Sequence, residues 1–474
     1  MTGVGMKGII FAILLVVCFG VSSCGNVFND QLGVKGPAQE IGAEAGLNDD
    51  PTFFAIINER SDDELVEILE EDDGNIIIVG NLCYDEPEQV DAWIIKTDKF
   101  GNILQQKAIG GKQDNRVFSI GKVPDGGYLL AGYSLESYEG DKDFWIVKLS
   151  SSLDMLWERH YGNEGNDLAK KVFQEDDGEY VIIGCTDRFG AGGNDVWVIW
   201  TDAEGEILGE TTHGLKGNET IGGVVYNKIT GKYVIAINTF EEDNIFLSGV
   251  HVMEVDSSGT PYRSINLHGG ISTIAIGMIV EDNGDMVIVG RNYDTSLSNF
   301  YTPWAIKLNS QLQVVWETVY LTVNDGIFIN ITKAKDGSYM LGGVINTNTK
   351  SGVDMLMTQL NANGTVKKMM TAGGESTDTA YTIKQLKSGG VIIAGESDGF
   401  GCEGIGIFFT TMDESWRMDQ SGLNVIEWYA DKINVNTQVE ANPLTAMKDM
   451  IQASKNYMEK STVTETNTKS IFIR

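Results

Sequence analysis

The chain has 474 residues, of which 67 are acidic and 35 basic, giving a formal net charge of −32. A surface this acidic repels a phosphate backbone, so the charge argues against nucleic acid as a partner. The 42% hydrophobic content and the 56 glycines against 7 prolines fit a globular protein of many strands and tight turns. Beyond residue 24 only three cysteines remain, too few for a disulfide framework.

The N-terminus predicts a signal peptide over residues 1–23. Lys7 precedes an apolar run at 8–20 that is too short to span a bilayer. The run Val21-Ser22-Ser23-Cys24 resembles the lipobox of bacterial lipoproteins, and this resemblance implies that Cys24 is lipidated and anchors the protein to an envelope membrane. An ordinary signal peptide is the alternative. Residues 24–50 are polar and Gly-rich, as in a tether, and leave the periplasmic and surface faces of the outer membrane both open.

A turn followed by an apolar run recurs along the rest of the chain. Its glycines are 52 or 53 residues apart, which is the signature of a repeat architecture. The repeat glycines are Gly74, Gly126, Gly178, Gly231, Gly284, Gly337 and Gly389. The Asp-Gly pair of most copies predicts a two-residue hairpin with positive φ at both positions.

Each repeat is predicted to contain four strands. An apolar first strand precedes the Asp-Gly turn and a continuous apolar second strand follows it. A variable polar loop leads to a third strand such as residues 91–96, and an Asp-x-x-Gly turn such as 98–101 opens the fourth. Four-stranded units of this length are typical of propeller blades.

The segment just before the first repeat predicts how the ring closes. Residues 56–58 match 108–110, and Asp62-Asp63 match Asp114-Asn115, each at an offset of 52. We therefore expect residues near 53–58 to supply the outer strand of the last unit, because an unclosed seam would expose a strand edge.

The Asp-Gly-Gly-Tyr turn at 125–128, the Trp-Ile-Val-Lys strand at 145–148 and the Asp-x-x-Gly turns carry a resemblance. Over residues 51–420 the chain resembles the β-propeller repeats of bacterial lipoproteins and secreted proteins, and more distantly quinoprotein-type repeats. The resemblance implies an all-β fold, a seven-bladed β-propeller. It implies little about function, because one fold serves many roles.

The repeat ends near residue 420. In the C-terminal extension 421–474, Asn442-Pro443 predicts the start of a helix over about 443–460 with Leu444 and Met447 on its apolar face. Packing on the propeller rim and docking to a partner are both open for this short helical extension.

No catalytic constellation emerges from the sequence. The four histidines do not pair at ligand spacing, and the Asp/Asn pairs and acidic hairpins that recur in successive repeats are predicted to be structural. We expect no metal, no cofactor and no enzymatic activity. A disulfide between Cys83 and Cys402, in the first and last repeats, is an open alternative to two free thiols.

The loops that vary between repeats are the candidate binding surface. They follow the second strands or enter the first strands, and a rigid scaffold presenting aromatic loops is suited to recognition. Ordinary solvated loops are the alternative. The candidate binding residues are Tyr84, Asp85, Tyr138, Arg188, Phe189, Arg291, Tyr293, Tyr301 and Phe400.

These features predict a membrane-anchored envelope lipoprotein that acts as a non-catalytic scaffold for protein partners. The first alternative is a glycan-binding surface lipoprotein that supports nutrient capture. A propeller hydrolase or lyase is the second, although the chain lacks the arginine cluster and turn pattern of a sialidase.

The lipid anchor is testable in cells. Metabolic labelling with a palmitate analogue should mark the wild-type protein and should not mark Cys24→Ala, because only the cysteine thiol accepts the acyl chain. Equal labelling of both proteins, or a wild-type protein that is freely soluble, would contradict the prediction.

Overall fold

The computed structural model describes residues 54–57, 63–84, 89–111, 113–135, 140–162, 164–241, 244–267, 271–322, 324–346, 353–373, 377–397, 405–412 and 416. The predicted signal peptide, tether and C-terminal helix lie outside these residues. Among the described residues, no helix has the length and apolar character to cross a membrane.

The described part of the chain forms 28 strands. The first half contains β1 (Phe54–Ile57), β2 (Glu64–Glu70), β3 (Ile76–Tyr84), β4 (Gln89–Thr97), β5 (Ile103–Ile109), β6 (Asn115–Lys122), β7 (Tyr128–Leu135), β8 (Lys142–Leu149), β9 (Met155–Tyr161), β10 (Asp167–Gln174), β11 (Tyr180–Thr186), β12 (Asp195–Thr201), β13 (Ile207–His213) and β14 (Asn218–Asn227). The second half contains β15 (Lys232–Glu241), β16 (Asn244–Val255), β17 (Pro261–Leu267), β18 (Ser272–Val280), β19 (Met286–Tyr293), β20 (Thr302–Leu308), β21 (Val314–Val319), β22 (Gly326–Lys333), β23 (Tyr339–Asn346), β24 (Val353–Leu360), β25 (Val366–Ala372), β26 (Asp378–Gln385), β27 (Val391–Ser397) and β28 (Gly406–Met412).

Each of the first six sequence repeats folds as a four-stranded antiparallel meander. Repeats 1, 2, 3 and 6 form the sheets β2–β5, β6–β9, β10–β13 and β22–β25. Repeat 4 (β14–β17) and repeat 5 (β18–β21) belong to one eight-stranded sheet, joined by a single parallel pair between Ser248 and Ser272. Repeat 7 consists of β26–β28 with β1 at its edge.

The hydrophobic core lies between neighbouring sheets rather than at one centre. Separate clusters of buried side chains join repeats 1 and 2, 2 and 3, 3 and 4, 4 and 5, 5 and 6, and 6 and 7. A further cluster joins repeat 7 to repeat 1, with Ile407 and Phe409 packed against Leu65 and Trp93. The first strands of consecutive repeats also contact one another around the whole ring. Four-stranded sheets packed face to face in a closed ring are a β-propeller.

Strand β1 closes the ring as the sequence predicted. It pairs antiparallel with β28, placing Phe54 opposite Thr410 and Ile57 opposite Ile407. The N-terminal strand is thus the outer strand of the sheet built from the C-terminal repeat, and it covers an edge that would otherwise be unpaired.

The Asp-Gly hairpins differ from the predicted geometry. In repeat 1, Glu71 N–H donates to Asn75 O and Gly74 N–H donates to Glu71 O, which makes a three-residue loop. Gly74 has φ of 84°, whereas Asp73 is not among the residues with positive φ. The prediction of positive φ at both positions was therefore wrong. A type I turn needs only one left-handed residue after it, and glycine occupies that position without steric cost.

Every first strand carries a β-bulge at the same place, for example between Leu65 and Glu67 in β2 and between Val117 and Ser119 in β6. A side chain from the preceding repeat binds the backbone beside some of these bulges. Asn81 Nδ2 donates to Val117 O at 3.2 Å and its Oδ1 accepts from Val117 N at 2.9 Å. Asn238 makes the same pair of bonds to Ala275. These buried bonds fix each sheet against the next.

The seam provides a stability prediction. Alternate residues of an antiparallel strand bond to the neighbouring strand, so replacing both Ala55 and Ile56 by proline must remove a β1–β28 hydrogen bond. We expect the free energy of unfolding to fall by about 1–3 kcal/mol, measured by denaturant titration. The matched control, Asp49→Pro with Asp50→Pro in the predicted tether, should leave stability unchanged. Similar losses in both double variants would argue against the seam.

Candidate functional site

The candidate binding residues that the structure describes lie at one edge of the sheets, here called the loop face. It is formed where second strands pass into third strands and where fourth strands lead into the next repeat. The opposite edge, the hairpin face, carries the Asp-Gly hairpins. Six candidates are described: Tyr84, Arg188, Phe189, Arg291, Tyr293 and Tyr301. Asp85, Tyr138, Phe400 and the lipidation candidate Cys24 lie outside the described residues, as does Cys402, so neither they nor a Cys83–Cys402 disulfide can be placed.

Three of the candidates form one cluster in repeat 5. The Arg291 guanidinium lies over the Tyr301 ring at 4.1 Å from its centroid, and the Tyr301 and Tyr293 rings are 5.0 Å apart and tilted. Strands β19 and β20 bring these residues together because they flank the same loop. Arg291 is buried and both tyrosines are half-buried, while Phe300 beside them is 38% exposed.

Neighbouring backbone holds this cluster in place. Tyr301 N–H donates to Asp325 Oδ1 at 2.8 Å, and Tyr301 O accepts from Gly326 N, both in the segment entering repeat 6. Tyr293 O accepts from Ile271 N at the entry to repeat 5. The backbone that carries both rings is thus fixed by bonds to the adjoining segments.

Arg188 and Phe189 form a second, separate group in repeat 3. The Arg188 guanidinium lies 4.8 Å from the centre of the Phe189 ring, which lies 6.0 Å from that of Trp197. Arg188 is exposed and Phe189 half-buried. The Phe189 ring therefore packs against Trp197 of the sheet core, and the exposed Arg188 guanidinium lies over that ring.

Tyr84 makes contacts within the first and last repeats. Its hydroxyl donates to Asp91 Oδ2 at 3.1 Å, and its ring packs against the cluster between repeats 1 and 7. Burial raises the pKa of Asp91 above its usual range, opposed by the bonds from Gln89 and Tyr84. The structure does not join Tyr84 to the repeat 5 cluster.

Sequence reasoning missed a polar group near the seam, here called the seam cluster (Glu64, Asp114, Arg116 and Glu396). Buried Arg116 forms an ion pair with Glu64 and lies 3.4 Å from Asp114 Oδ1. Asn81 Nδ2 donates to Glu64 Oε2 at 3.1 Å. Arg116 and Glu64 occupy the same position of their repeats, ten residues before the hairpin glycine, where other repeats have Leu168, Ile274 and Ile327. This pair of opposite charges at an otherwise apolar position was the available signal.

Glu396 joins the two ends of the ring. Its Oε1 accepts from Leu65 N–H at 2.7 Å, linking residues 331 positions apart. Burial, followed by the negative charge of Glu64, raises the pKa of Glu396 to about 8. Burial and the same two glutamates raise the pKa of Tyr381 well above its usual value. Glu396 is therefore protonated over much of the neutral range.

The recurrent motifs fasten the sheets, as predicted for residues that recur in successive repeats. Trp145 Nε1 donates to Glu158, Trp197 to Glu210 and Trp304 to Glu317, each from the third to the fourth strand. On the hairpin face Tyr128 donates to Glu71 of the preceding repeat at 2.5 Å, and Tyr233 and Tyr339 bond Glu175 and Glu281 in the same way.

The described histidines have unrelated partners. His160 Nδ1 bonds Ser134 Oγ at 2.7 Å, His213 Nε2 bonds Gly259 O at 2.8 Å, and His251 bonds Asn266. His268 lies outside the described residues. Over the part of the chain that can be placed, no three His, Cys, Asp or Glu side chains converge as metal ligands.

The raised pKa of Glu396 predicts the pH dependence of stability. A carboxyl whose pKa is higher in the folded than in the unfolded state binds more protons when folded, so its contribution is full below about pH 4 and is lost as pH rises through about 8. At about pH 9, Glu396→Gln should raise the free energy of unfolding by about 2 kcal/mol, with little effect at about pH 4. Denaturant titrations across this range measure the difference. A wild-type pH profile unchanged by the substitution would contradict this role for Glu396.

Comparisons with known proteins agree with the fold only distantly. No protein-family model matches the chain, and no curated protein sequence matches it. Among solved structures, it is similar to the β-propeller domain of the Trilobed protease from Pyrococcus furiosus, at 11% identity and a TM-score of 0.44 over 74% of this chain and 95% of that one. It is also similar to an α-L-arabinanase from Penicillium chrysogenum, at 10% identity and a TM-score of 0.41 over 74% and 94%. The acylaminoacyl peptidase of Pyrococcus horikoshii matches at 10% identity and a TM-score of 0.41 over 70% of this chain, which spans about half of that protein's length.

Proposed function

We propose that the protein is a seven-bladed β-propeller, lipid-anchored at Cys24 in a bacterial envelope membrane, that binds protein partners as a non-catalytic scaffold. The observation that carries the binding role is the repeat 5 cluster of Arg291, Tyr293 and Tyr301 on the loop face. The count of seven treats repeats 4 and 5 as separate blades. These two repeats share only one residue pair, Ser248 with Ser272, which supports this division.

The composition of the cluster favours a protein partner. Tyrosine and arginine are enriched among the residues that dominate protein–protein binding energies, particularly when surrounding groups exclude water. Arg291 covers one face of the Tyr301 ring. A sugar stacks best on an open ring face, so this arrangement favours protein over glycan, which remains the alternative outcome of the test.

The hairpin face offers less for recognition. Several of its charged side chains are paired within the protein: Glu71 accepts from Tyr128, Lys96 pairs with Glu71 at 2.6 Å, and Lys148 pairs with Asp125 at 2.8 Å. Its turns are short and constrained by their glycines. We therefore assign partner binding to the loop face.

The binding surface is tested by substituting Tyr293→Ala together with Tyr301→Ala. Loss of two hot-spot side chains should reduce partner affinity by about 30-fold or more. Crosslinking and recovery from membranes with the tagged full-length protein measures the loss, and thermal unfolding shows whether the half-buried rings affect stability. Asp176→Lys, at an exposed hairpin position, is the control and should bind normally.

Two results would overturn the assignment. The double variant recovering the same partners at wild-type yield would exclude the cluster, and loss of partners in Asp176→Lys would point to the hairpin face. A glycan array probed with the same proteins decides the alternative: glycan binding that depends on Tyr293 and Tyr301, without recovered proteins, would replace the scaffold by a glycan receptor.

The net charge of −32 predicts the salt dependence of association. A partner with a basic surface would be attracted over a distance comparable to the Debye length, which is about 8 Å at physiological ionic strength. Raising the salt concentration should therefore slow association and leave dissociation nearly unchanged, as surface plasmon resonance can measure. An association rate independent of salt would exclude electrostatic steering.

A further inference from the structure

Carboxyl groups secure the loop of repeat 3 that presents Arg188 and Phe189. This loop, residues 187–194, begins at Asp187, whose carboxylate accepts from Asn166 N and Nδ2 at 2.7 and 2.8 Å. Near its end, Ala191 N–H and Gly192 N–H donate to Asp195 Oδ2 at 3.1 and 3.4 Å. The Asp195 carboxyl therefore fixes residues 191 and 192, while Gly193 N and Asn194 N are held separately by Gly217 O and Asn218 Oδ1.

Asp195 is one half of a buried carboxyl pair. A Cβ atom at Gly214 would stand 1.4 Å from Asp195 Oδ1 and 2.7 Å from Glu219 Oε2, so the two carboxyl groups converge on one point. Their residues are 0% and 1% exposed. Only glycine fits at 214, because any larger residue would push the two groups apart.

The two carboxyl groups of the pair accept different numbers of backbone hydrogen bonds. Asp195 Oδ2 has two backbone N–H donors, while Glu219 Oε2 has one, from Leu215 at 2.9 Å. Asp195 Oδ1 and Glu219 Oε1 are buried and have no hydrogen-bond donor among the described residues. Two ionised carboxylates that converge in a buried site repel each other strongly. One proton, held by Glu219 and donated to Asp195, removes this repulsion.

Few other charged groups act on the pair. The thiol of the half-buried Cys185 on β11 feels the charges of both carboxyl groups, and desolvation raises the pKa of that thiol to about 12. Lys170 on β10 acts on the same thiol. His213, next to Gly214, is bonded to Gly259 O instead. The pair thus titrates mainly through its own burial and mutual repulsion.

We propose that the proton shared by Asp195 and Glu219 controls the 187–194 loop, so that losing it as the pH rises releases the loop and weakens its presentation of Arg188 and Phe189. The proposal rests on the binding role assigned to the loop face.

A second pair of carboxyl groups, Asp143 and Asp167, lies at the other end of the loop. A Cβ atom at Gly162 would stand 2.1 Å from Asp143 Oδ1 and 2.7 Å from Asp167 Oδ2.

The direction of the pH effect follows from these environments. Burial, and then the charge of Asp195, raises the pKa of Glu219 to about 7, and burial does the same for Asp167 beside Asp143. Since these pKa values are above those of an unfolded chain, the pairs are protonated and the loop is held at about pH 5–6. The holding interaction is lost as the pH rises through about 7.

The chain provides its own comparison. At the junction of repeats 1 and 2, Asn115 stands where repeats 3 and 4 have Asp167 and Glu219, and Asp91 stands where repeat 3 has Asp195. A Cβ at Gly110 would lie 2.0 Å from Asp91 Oδ1, and Asn115 Oδ1 accepts from Gly111 N at 2.9 Å. This junction has an amide in place of the second acid and should not titrate in the same way.

Hydrogen exchange of the full-length protein, read by mass spectrometry at about pH 6 and about pH 8.5 and corrected for intrinsic rates, tests the proposal. In the wild type, protection of peptides covering 187–194 should fall about tenfold at the higher pH. In Glu219→Gln, whose amide can donate to Asp195 at any pH, Ala191 and Gly192 should stay protected. Asn115→Asp should introduce a pH-dependent loss of protection at Gly111.

Wild-type protection that is equal at both pH values would overturn the proposal, as would a pH response that persists in Glu219→Gln. Asn115→Asp provides an independent check should Glu219→Gln fail to fold, and no new pH response at Gly111 would count against the mechanism. Exchange is measured without a partner, so its result is separate from the binding test. Failure of Tyr293→Ala with Tyr301→Ala to affect partner recovery would remove the proposed function and leave the loop measurement intact.

Discussion

Closure of the ring is the constraint on which the rest of the structure depends. Each four-stranded sheet is apolar on both faces and can bury them only against its two neighbours. An open ring would therefore expose one face of repeat 1, one face of repeat 7 and one strand edge. The pairing of β1 with β28 and the packing of Ile407 against repeat 1 remove both exposures. Because each described sheet contacts mainly its two neighbours, a defect at any junction weakens the closed ring. The side chains that bond one sheet to the next therefore occur at several junctions.

One position of the repeat, here called the fastening position, bonds neighbouring sheets through different side chains. It is the residue seven after the hairpin glycine, and it faces the bulged first strand of the next repeat. Asn81 and Asn238 suit it because an amide both donates and accepts, and each bonds the N–H and C=O of one residue. Glu396 occupies this position at the seam. An ionised carboxylate can only accept, here from Leu65 N–H, whereas a protonated one can also donate. Burial beside Glu64 favours the protonated form, which resembles the asparagine of the other repeats.

Sequence periodicity predicts much of this fold because the repeat samples the same local physics many times. The spacing of the glycines, the apolar second strands and the match between residues 56–58 and 108–110 were sufficient for the strand pattern and the seam. These features did not determine the hairpin type. An Asp-Gly pair fits a type I turn followed by one left-handed glycine as well as it fits a type I′ turn. The proximity of Arg291, Tyr293 and Tyr301 could be predicted because these residues flank one loop. Contacts such as Glu396 with Leu65 join distant residues, and no local pattern encodes which side chain lies there.

Arg291 departs from the residue type that bonds neighbouring sheets in other repeats. Arg291 stands seven residues after Gly284, the position where Asn81 and Asn238 fasten their neighbours. A guanidinium has five N–H donors and no acceptor, so it cannot accept the backbone N–H that the asparagines bind. In repeat 5 the side chain instead stacks on Tyr301 at the loop face. The single parallel pair between Ser248 and Ser272 ties repeat 5 to repeat 4, and Asn238 fastens it from the same side. Repeat 5 is thus bonded to repeat 4 through Asn238, and its own residue at this position places a cation over an aromatic ring at the loop face.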